Sequence, residues 1–217
     1  VYRKIVHSLK ASGVNVVRHG HQTHVMALTN KDVDALAGDR EVTSGDTVHF
    51  DKDLKPVDGG LFDPKLTGGH GGKRWSAVRL HEPMLNPVME EPARRLLGLT
   101  QKQLEGVISG THRLPSGTGP DALRKALSSV NVTRELALER ARFKNATGAK
   151  KDEAARRLGY LKGLQATGLD PGDWVLDRAP VLPPAFRPVS LMGSSGVPLV
   201  SDPNWLYKDL LEANSNL

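Results

Sequence analysis

Closely spaced histidines are the first residues of this chain whose types could do chemistry. His19, His21 and His24 stand within six positions, and strand alternation would put His19 and His21 on one face. Such a pair could begin a zinc or nickel site, but neither a cysteine nor a suitably placed carboxylate supplies a further ligand. The alternative is a polar turn with surface histidines. The sequence leaves metal binding by this cluster open.

An acidic cluster and a glycine-rich stretch are two further candidates. Asp32, Asp34 and Asp39 could bind magnesium, although acidic residues at a helix end explain the pattern as well. The glycines of Gly68–Gly72 could cradle a phosphate, but no Gly-Lys-Ser/Thr follows them in a strand-to-helix context. No nucleophile-elbow serine is recognisable either. We therefore expect no catalytic residue, metal or cofactor in this chain.

Basic residues give a clearer indication of a partner. The net charge is +6, and residues 130–165 hold nine Lys/Arg against four acids. Such a surplus favours a polyanionic partner, with a solvated helical face as the alternative. The candidate nucleic-acid contacts in the basic stretches, each weighed against simple solvent exposure, are Lys73, Arg74, Lys150, Lys151, Arg156 and Arg157.

In the C-terminal stretch, residue types predict a proline-rich connector, then a loop and then a helix. Five prolines between Pro180 and Pro198 exclude a central strand or a helix interior and predict a stiff extended connector. Gly193–Gly196 predicts a projecting loop tip. Ser201 or Asp202 is a suitable N-cap for a last helix, which we expect to be truncated or completed elsewhere. Apolar residues flank the loop and stripe this helix at Leu191, Met192, Val197, Leu199, Leu206, Leu210, Ala213 and Leu217.

These patterns predict an irregular α+β fold in four sections. Residues 1–58 form a small, mostly β section, and 59–95 hold a glycine-rich loop and a strand. Residues 96–170 are helical and basic, with a capping box at Thr100 and Gln103. Residues 171–217 hold the proline-rich connector, loop and helix. A helix is expected to start at Pro120, and a later helix is expected to carry an apolar stripe at Ala154, Leu158, Leu161 and Leu164. Trp75, Trp174 and Trp205 are expected to be core anchors, because tryptophans anchor cores more often than they stack on bases.

Composition bounds the class of protein. With 38% hydrophobic residues, 22 glycines and 14 prolines, the chain has few apolar side chains from which to build one compact core. Part of the fold is therefore expected to be buried against partners. The absence of cysteine excludes disulfides and thiolate metal sites. Neither a long apolar run nor a cleavable leader is recognisable, which predicts a soluble protein of the cytoplasm.

The chain resembles the N-terminal clamp region of the β′ (largest) subunit of multisubunit DNA-directed RNA polymerases. The resemblance is strongest over 171–217, where a proline-rich Trp174–Val189 precedes Gly193–Gly196 and a Ser-Asp-Pro-Asn-Trp-Leu-Tyr segment that ends in Asn214-Ser-Asn-Leu217. It extends to 59–95 through Gly59-Gly-Leu-Phe-Asp-Pro64 and the strand after Lys73. Over 96–170 the resemblance is weak and lies mainly in the pattern of residue types, and before residue 58 it is negligible.

The resemblance implies a role within an enzyme that transfers nucleotides. In the family, this region holds DNA and separates RNA from the template, while Mg²⁺ is bound by an Asn-Ala-Asp-Phe-Asp-Gly-Asp motif that this chain lacks. Arg187 would hold a phosphate, brace the loop or form a structural salt bridge. The resemblance also implies a lid, a loop that separates RNA from DNA; its residues would be Met192, Gly193, Ser194, Ser195, Gly196 and Val197.

The resemblance also implies partners and a departure from the family pattern. The family's four-cysteine zinc ribbon is missing, because only Pro64–Gly72 connects the flanking elements. This departure points to a divergent polymerase of the kind that a phage encodes, acting in the cytoplasm of a bacterial or phage-infected cell. Expected partners are the β-like subunit, the remainder of a β′-like subunit, DNA template, RNA transcript and an initiation factor, but no membrane.

Two other function classes remain open from the sequence. The first is a free-standing basic nucleic-acid-binding or transcription-regulatory protein that uses a polymerase clamp module. The second is a structural virion protein, which fits the 5% aromatic content but predicts none of the motif order.

Overall fold

The chain divides into one unit of mixed helices and strands and one unit that is mainly helical. The structure is a computed structural model and describes residues 2–14, 16–19, 22–25, 28–44, 55–193 and 197–217. One unit comprises Val1–Glu82 with Asp177–Leu217, and the other comprises Pro83–Leu176. The four sections expected from the sequence are thus grouped into two units, and the first unit is built from both ends of the chain.

The first unit contains helices at its start and end and three pairs of short strands. In chain order its elements are α1 (Tyr2–Ala11), β1 (Val16–His19), β2 (Gln22–Val25), α2 (Asn30–Ala37), most of β3 (Ser76–Leu85), most of β4 (Val175–Val181), β5 (Val189–Met192), β6 (Val197–Val200) and α8 (Asp202–Ser215). Strands pair as β1–β2, β3–β4 and β5–β6. The expectation of a mostly β section over 1–58 missed α1 and α2, because short apolar runs do not distinguish strands from buried helix faces.

Helix α2 explains the acidic cluster near residue 35. Thr29 is its N-cap, and its side chain and that of Asp32 form a reciprocal capping box. Asp34 accepts a 2.8 Å bond from Arg178 Nη1. The helix ends at Gly38, whose φ of 53° favours glycine. The acidic residues therefore begin and anchor a helix, which is the alternative to magnesium binding that the sequence left open.

Three apolar clusters form the core of the described part of the first unit, and the smallest contains Val33, Ala37 and Ala77. The first packs the Gly59–Pro64 turn against β3, β4 and α8 through Val42, Leu61, Phe62, Val78, Val181 and Leu211. The second holds α1 and α2 around Trp75, with Leu9, Val14 and Leu36. Trp75 is a core anchor, as expected.

The second unit is a bundle of helices. Its elements are α3 (Glu90–Leu97), α4 (Gln101–Ile108), α5 (Gly119–Ser128), α6 (Val132–Asn145) and α7 (Gly148–Thr167), with 3-10 turns at Pro87–Met89 and Pro171–Trp174. The capping box of Thr100 and Gln103 is confirmed, and so is the buried stripe of α7, which ends at Gly168 with a φ of 65°. Trp174, 3% exposed, is also a core anchor.

The proline-rich segment differs from the stiff connector that the sequence predicts. It contains the end of β4, a 3-10 turn at Pro184–Phe186 and the hairpin strands β5 and β6. Pro180 and Pro198 lie in two-stranded sheets, where each strand has an open edge that tolerates a missing N–H. The exclusion of a central strand is confirmed, but the extended connector is wrong, because strand pairing and a turn fold the segment back on itself.

Helix α8 buries a different face from the predicted apolar stripe. Leu206 is 67% exposed, and Ala213 is also exposed. The buried positions are Asn204 and Leu211, with Tyr207 partly buried between them. The predicted stripe is wrong at Leu206, Ala213 and Leu217, which are exposed, whereas Leu210 packs against the core cluster. A polar residue, Asn204, occupies the inward face as well. Among the described residues, no helix is long and apolar enough to cross a membrane.

Candidate nucleic-acid interface

Arg187 lies at the centre of the first unit, directly before the β5–β6 hairpin. Its side chain is completely buried. Nε donates to the Leu182 carbonyl at 2.7 Å, Nη1 to Asn204 Oδ1 at 2.8 Å and Nη2 to the Leu61 carbonyl at 2.5 Å. Asn204 Nδ2 donates back to the Arg187 carbonyl at 2.9 Å. Arg187 thus joins the Gly59–Pro64 turn, the end of β4 and α8.

The electrostatics of Arg187 match a structural role. Its guanidinium carbon lies 4.8 Å from the Phe62 ring centroid and 5.7 Å from that of Tyr207. Burial lowers the pKa of Arg187 to about 10 and raises the pKa of Tyr207. Among the described residues it has no carboxylate partner, so it is neither a structural salt bridge nor a phosphate contact. Of the expected roles, bracing the loop base is the one that this geometry fits.

The β5–β6 hairpin presents apolar side chains to solvent. The strands pair antiparallel from Val189 opposite Val200 to Met192 opposite Val197. Its exposed apolar residues are Leu191, Met192, Val197 and Leu199, each 46–58% exposed. Gly193 has a φ of 51°, which starts the reversal at the tip. The other expected tip residues, Ser194, Ser195 and Gly196, lie outside the described residues.

The base of this hairpin is closed by Ser201. Its Oγ donates to the Pro188 carbonyl at 2.7 Å, and its N–H donates to the same oxygen at 3.3 Å. Ser201 occupies the N-cap position of α8, but its side chain closes the hairpin and does not cap the helix. Together with Arg187, this contact fixes both ends of the hairpin on the body of the unit.

In the second unit, Arg157 holds helices together and does not face solvent. Nη1 donates to Glu139 Oε2 at 2.7 Å and Nη2 to Glu135 Oε2 at 2.8 Å. Its Nε and Nη2 also donate to the carbonyls of Arg95 and Leu96, both at 3.0 Å. Burial alone would lower the pKa of Arg157, but the bonds and charges of the two glutamates raise it overall. The expectation that Arg157 contacts phosphate is therefore corrected, because its donors are engaged inside the bundle.

Pairing of Arg157 with two glutamates leaves the outer surface of α6 and α7 strongly basic. Glu139 is only 2% exposed, and its Oε1 also lies 3.9 Å from Nη1 of the exposed Arg142. The exposed acids of this helix pair are Asp152 and Glu153. The exposed cations are Arg134, Arg140, Arg142, Lys144, Lys150, Lys151, Arg156 and Lys162. We call these eight side chains the basic face; it includes three of the expected phosphate contacts, and one of these, Lys151, lies 5.2 Å from the Phe143 ring centroid.

The remaining two expected phosphate contacts follow the glycine-rich loop. Arg74 is exposed, but its Nη2 donates to the Pro64 carbonyl and so closes the loop. Gly72 must be glycine, because a Cβ there would lie 1.9 Å from the Thr67 carbonyl oxygen. Lys73 is exposed and lines a cleft beside α1. The loop leads into β3 and not into a helix, which confirms that it is no P-loop.

Metal binding finds no support in the described part of the chain. No group of three His, Asp or Glu side chains that could hold a metal ion occurs there. His19 ends β1 and His24 lies in β2, while His21 lies outside the described residues. The third tryptophan, Trp205, is 45% exposed and carries Lys208 Nζ 5.8 Å from its ring centroid, so it is not a core anchor.

Sequence reasoning missed the partners that give these arginines their roles. Asn204 and the Leu61 carbonyl lie 17 and 126 residues from Arg187. Glu139 and Arg157 are 18 residues apart on different helices. The available signal was local and weak: a polar Asn204 interrupts the apolar positions of α8, and Glu135 and Glu139 have helical i, i+4 spacing.

Comparisons with known proteins agree with the resemblance seen in the sequence. No protein-family model matches this chain. It is 37% identical over 109 residues to the DNA-directed RNA polymerase subunit β′ of Levilactobacillus brevis. The values are 36% over 107 residues for Limosilactobacillus fermentum and 34% over 103 residues for Listeria grayi, with the same subunit name.

The matched regions cover about half of this chain but little of the relatives. They make up 50%, 49% and 47% of this chain in the three cases. The same regions make up 9%, 9% and 10% of the three subunits, so the chain spans about a tenth of the length of the curated relatives it matches. Over about half of its length, this chain is similar in sequence to the β′ subunits of bacterial DNA-directed RNA polymerases.

Proposed function

We propose that this chain is part of the β′-like subunit of a DNA-directed RNA polymerase, where it forms clamp and lid elements. In this function the assembled enzyme performs nucleotidyl transfer, and this chain holds DNA and separates the transcript from the template. The sequence similarity to β′ subunits supports the subunit role. Mg²⁺ would be held by another part of the enzyme, since the Asn-Ala-Asp-Phe-Asp-Gly-Asp motif does not occur in this chain.

The observation that carries the lid role is the braced, apolar β5–β6 hairpin. Four apolar side chains at 46–58% exposure on one short hairpin are unfavourable in water unless another surface covers them. The flat face of a terminal base pair is such a surface, and it is apolar enough to pack against Met192 and Val197. Arg187 and Ser201 hold the base of the hairpin rigid, so the strands could act as a wedge without bending away.

The basic face supports the second half of the proposal, which is contact with nucleic-acid phosphates. Lys150, Lys151 and Arg156 are exposed on α7, and both acids of α6 bind Arg157, although Glu139 also lies 3.9 Å from Arg142. A surface with eight cations and two acids attracts DNA by counterion release, whatever its sequence. In the assembled enzyme the partners would be a β-like subunit, the remainder of the β′-like subunit, DNA, RNA and an initiation factor, all in the cytoplasm.

The lid role is tested in the assembled polymerase with two variants. The first keeps the hairpin backbone and replaces Leu191, Met192, Val197 and Leu199 by serine together. The second lacks Leu191–Val200. Addition of nucleotides to a short primed scaffold should stay nearly intact, because no metal ligand is changed. Long transcripts on single-stranded template should stay hybridised, measured as RNase H-sensitive RNA.

The matched control is Leu206→Ser, which removes an exposed apolar side chain of α8 in the same unit. It should release transcripts normally. Loss of bond formation on the primed scaffold with normal release of long transcripts would show that the hairpin is not a lid. A chain that binds nucleic acid but fails to co-purify with a β-like subunit would favour the free-standing nucleic-acid-binding protein.

A further inference from the structure

A basic cleft lies in the first unit, and none of the described residues that line it belongs to the β5–β6 hairpin or to the basic face. It has a volume of about 520 Å³, within the range of roughly 300–1,000 Å³ typical of small-molecule sites. Its lining comes from α1, from the end of the glycine-rich loop and from the 3-10 turn before Arg187. The described residues that line it are Lys4, His7, Ser8, Lys73, Ala185 and Phe186.

The walls of this cleft are fixed to the core of the unit. Trp75 Nε1 donates to Ser8 Oγ at 2.9 Å, which ties α1 to the start of β3. Leu9, on the same helix, packs with Trp75 in a buried cluster. On the opposite side, the Ala185 N–H donates to the Gly72 carbonyl at 2.9 Å, which holds Phe186 close to Lys73. The cleft is therefore present before any ligand arrives.

The chemistry of the lining favours one class of ligand. Lys4, His7 and Lys73 are basic and exposed, and no acidic residue is among the described residues of the lining. Neither Lys4 nor Lys73 forms an ion pair with a described residue. Phe186 is half-buried and adds an aromatic surface to the same space. A ligand that fits has an anionic group beside a flat, apolar ring.

We propose that this cleft binds a nucleotide unit, with its phosphate between Lys4 and Lys73 and its base against Phe186. Lysine provides point charges for phosphate, and stacking on an aromatic side chain tolerates any base. The nucleotide could be free or part of a single strand, since both have the same phosphate and base. The inference does not rest on the proposed polymerase function, because binding can be measured with this chain alone.

The test uses the full chain in which Lys150, Lys151 and Arg156 are replaced by glutamine to remove competing sites. Ligands are ADP, a single-stranded adenylate hexanucleotide, inorganic phosphate and a hexaglutamate peptide. Lys4→Gln with Lys73→Gln should weaken ADP or hexanucleotide binding on the order of tenfold or more, because both phosphate contacts are lost. Phe186→Leu should weaken the same ligand about five- to tenfold, because stacking is lost while apolar volume is kept.

The control is Lys10→Gln, which removes an exposed lysine from α1 that does not line the cleft. It should leave affinity unchanged, and circular dichroism should show that all variants fold. Tighter binding of ADP than of hexanucleotide identifies a free nucleotide as the ligand, and the reverse identifies a single strand. The proposal is overturned if the lysine variants match Lys10→Gln, if Phe186→Leu has no effect, or if hexaglutamate binds as tightly as either nucleotide ligand.

Discussion

At the scale of single residues, the hydrogen-bond partners of an arginine decide whether it supports the fold or faces solvent. Arg187 and Arg157 were both candidate phosphate contacts, and both are engaged with carbonyls or carboxylates inside their units. Arg156, next to Arg157, is exposed. Local sequence cannot separate these two neighbours, because the glutamates and carbonyls that bind Arg157 come from other helices.

Replacement of Arg187 should destabilise the first unit strongly. Arg187→Met keeps much of the apolar stem but leaves Asn204 and the carbonyls of Leu61 and Leu182 without their donor, at a cost of about 1–3 kcal/mol for each buried group. We expect a total loss of at least 3 kcal/mol in the free energy of urea unfolding. Arg140→Met, an exposed arginine of the basic face, should change it by less than about 0.5 kcal/mol. Equal effects would contradict the bracing role.

A second residue-scale prediction concerns Asp63 in the Gly59–Pro64 turn. Asp63 is 4% exposed and accepts the N–H groups of Gly59 and Lys65, both at 2.8 Å. Burial raises its pKa, but these backbone bonds and the Lys65 charge outweigh burial and lower the pKa. A lowered folded-state pKa means that Asp63 stabilises the fold above its unfolded value near 3.9. That contribution is lost as the pH falls through the lowered value.

The test compares the wild-type chain with Asp63→Asn across pH. An amide cannot accept both N–H groups in the same way, so the variant should be less stable at pH 7. The difference in free energy of unfolding should shrink as the pH falls from about 4 through the lowered pKa, since the carboxyl is protonated first in the unfolded chain and then in the folded one. A difference that stays constant down to pH 2 would show that ionisation of Asp63 contributes nothing.

At the scale of elements, local residue types predicted where helices begin and end, but they predicted only in part which side of each helix is buried. The capping box at Thr100 and the stripe of α7 needed no tertiary information, since caps and 3.6-residue periodicity are local. The inward face of α8 was predicted only at Leu210, because Asn204, a polar residue, is buried by its bonds to Arg187. Helix α1 was missed as well, within a section whose short apolar runs alternate.

Adjacent arginines of α7 have different surroundings, since Arg157 is bonded inside the bundle and Arg156 is exposed, and this gives a matched pair of variants that tests the proposed phosphate contact. Arg157→Gln removes the charge that balances Glu135 and Glu139, so it should destabilise the second unit by about 3 kcal/mol. Arg156→Gln should leave stability within about 0.5 kcal/mol but weaken nucleic-acid binding and reduce the salt slope by up to about 0.9 for duplex DNA. Denaturant unfolding and titrations at several salt concentrations measure both effects. The assignment fails if Arg156→Gln leaves the salt slope unchanged.

At the scale of the whole molecule, residue patterns predict sections in chain order, whereas the structure groups distant segments. Asn30 Nδ2 donates to Asp177 Oδ2 across 147 positions, and Arg187 reaches Leu61 across 126. Such pairs are invisible to periodicity, which compares residues only a few positions apart. The second unit is different, because Pro83–Leu176 is one continuous segment with its own buried residues.

This continuity leads to a prediction for residues 83–176 expressed alone. The segment contains all the partners of Arg157 and a set of nearly inaccessible leucines that includes Leu96, Leu123, Leu127, Leu136 and Leu161. A continuous chain with its own core and internal ion pairs should fold independently. We expect helical circular dichroism and cooperative thermal unfolding, with Arg157→Gln lowering the midpoint and Arg156→Gln leaving it unchanged. A broad, non-cooperative transition would mean that the helices need the first unit or another subunit to fold, since the apolar faces of α3–α7 would then not be covered within the segment itself.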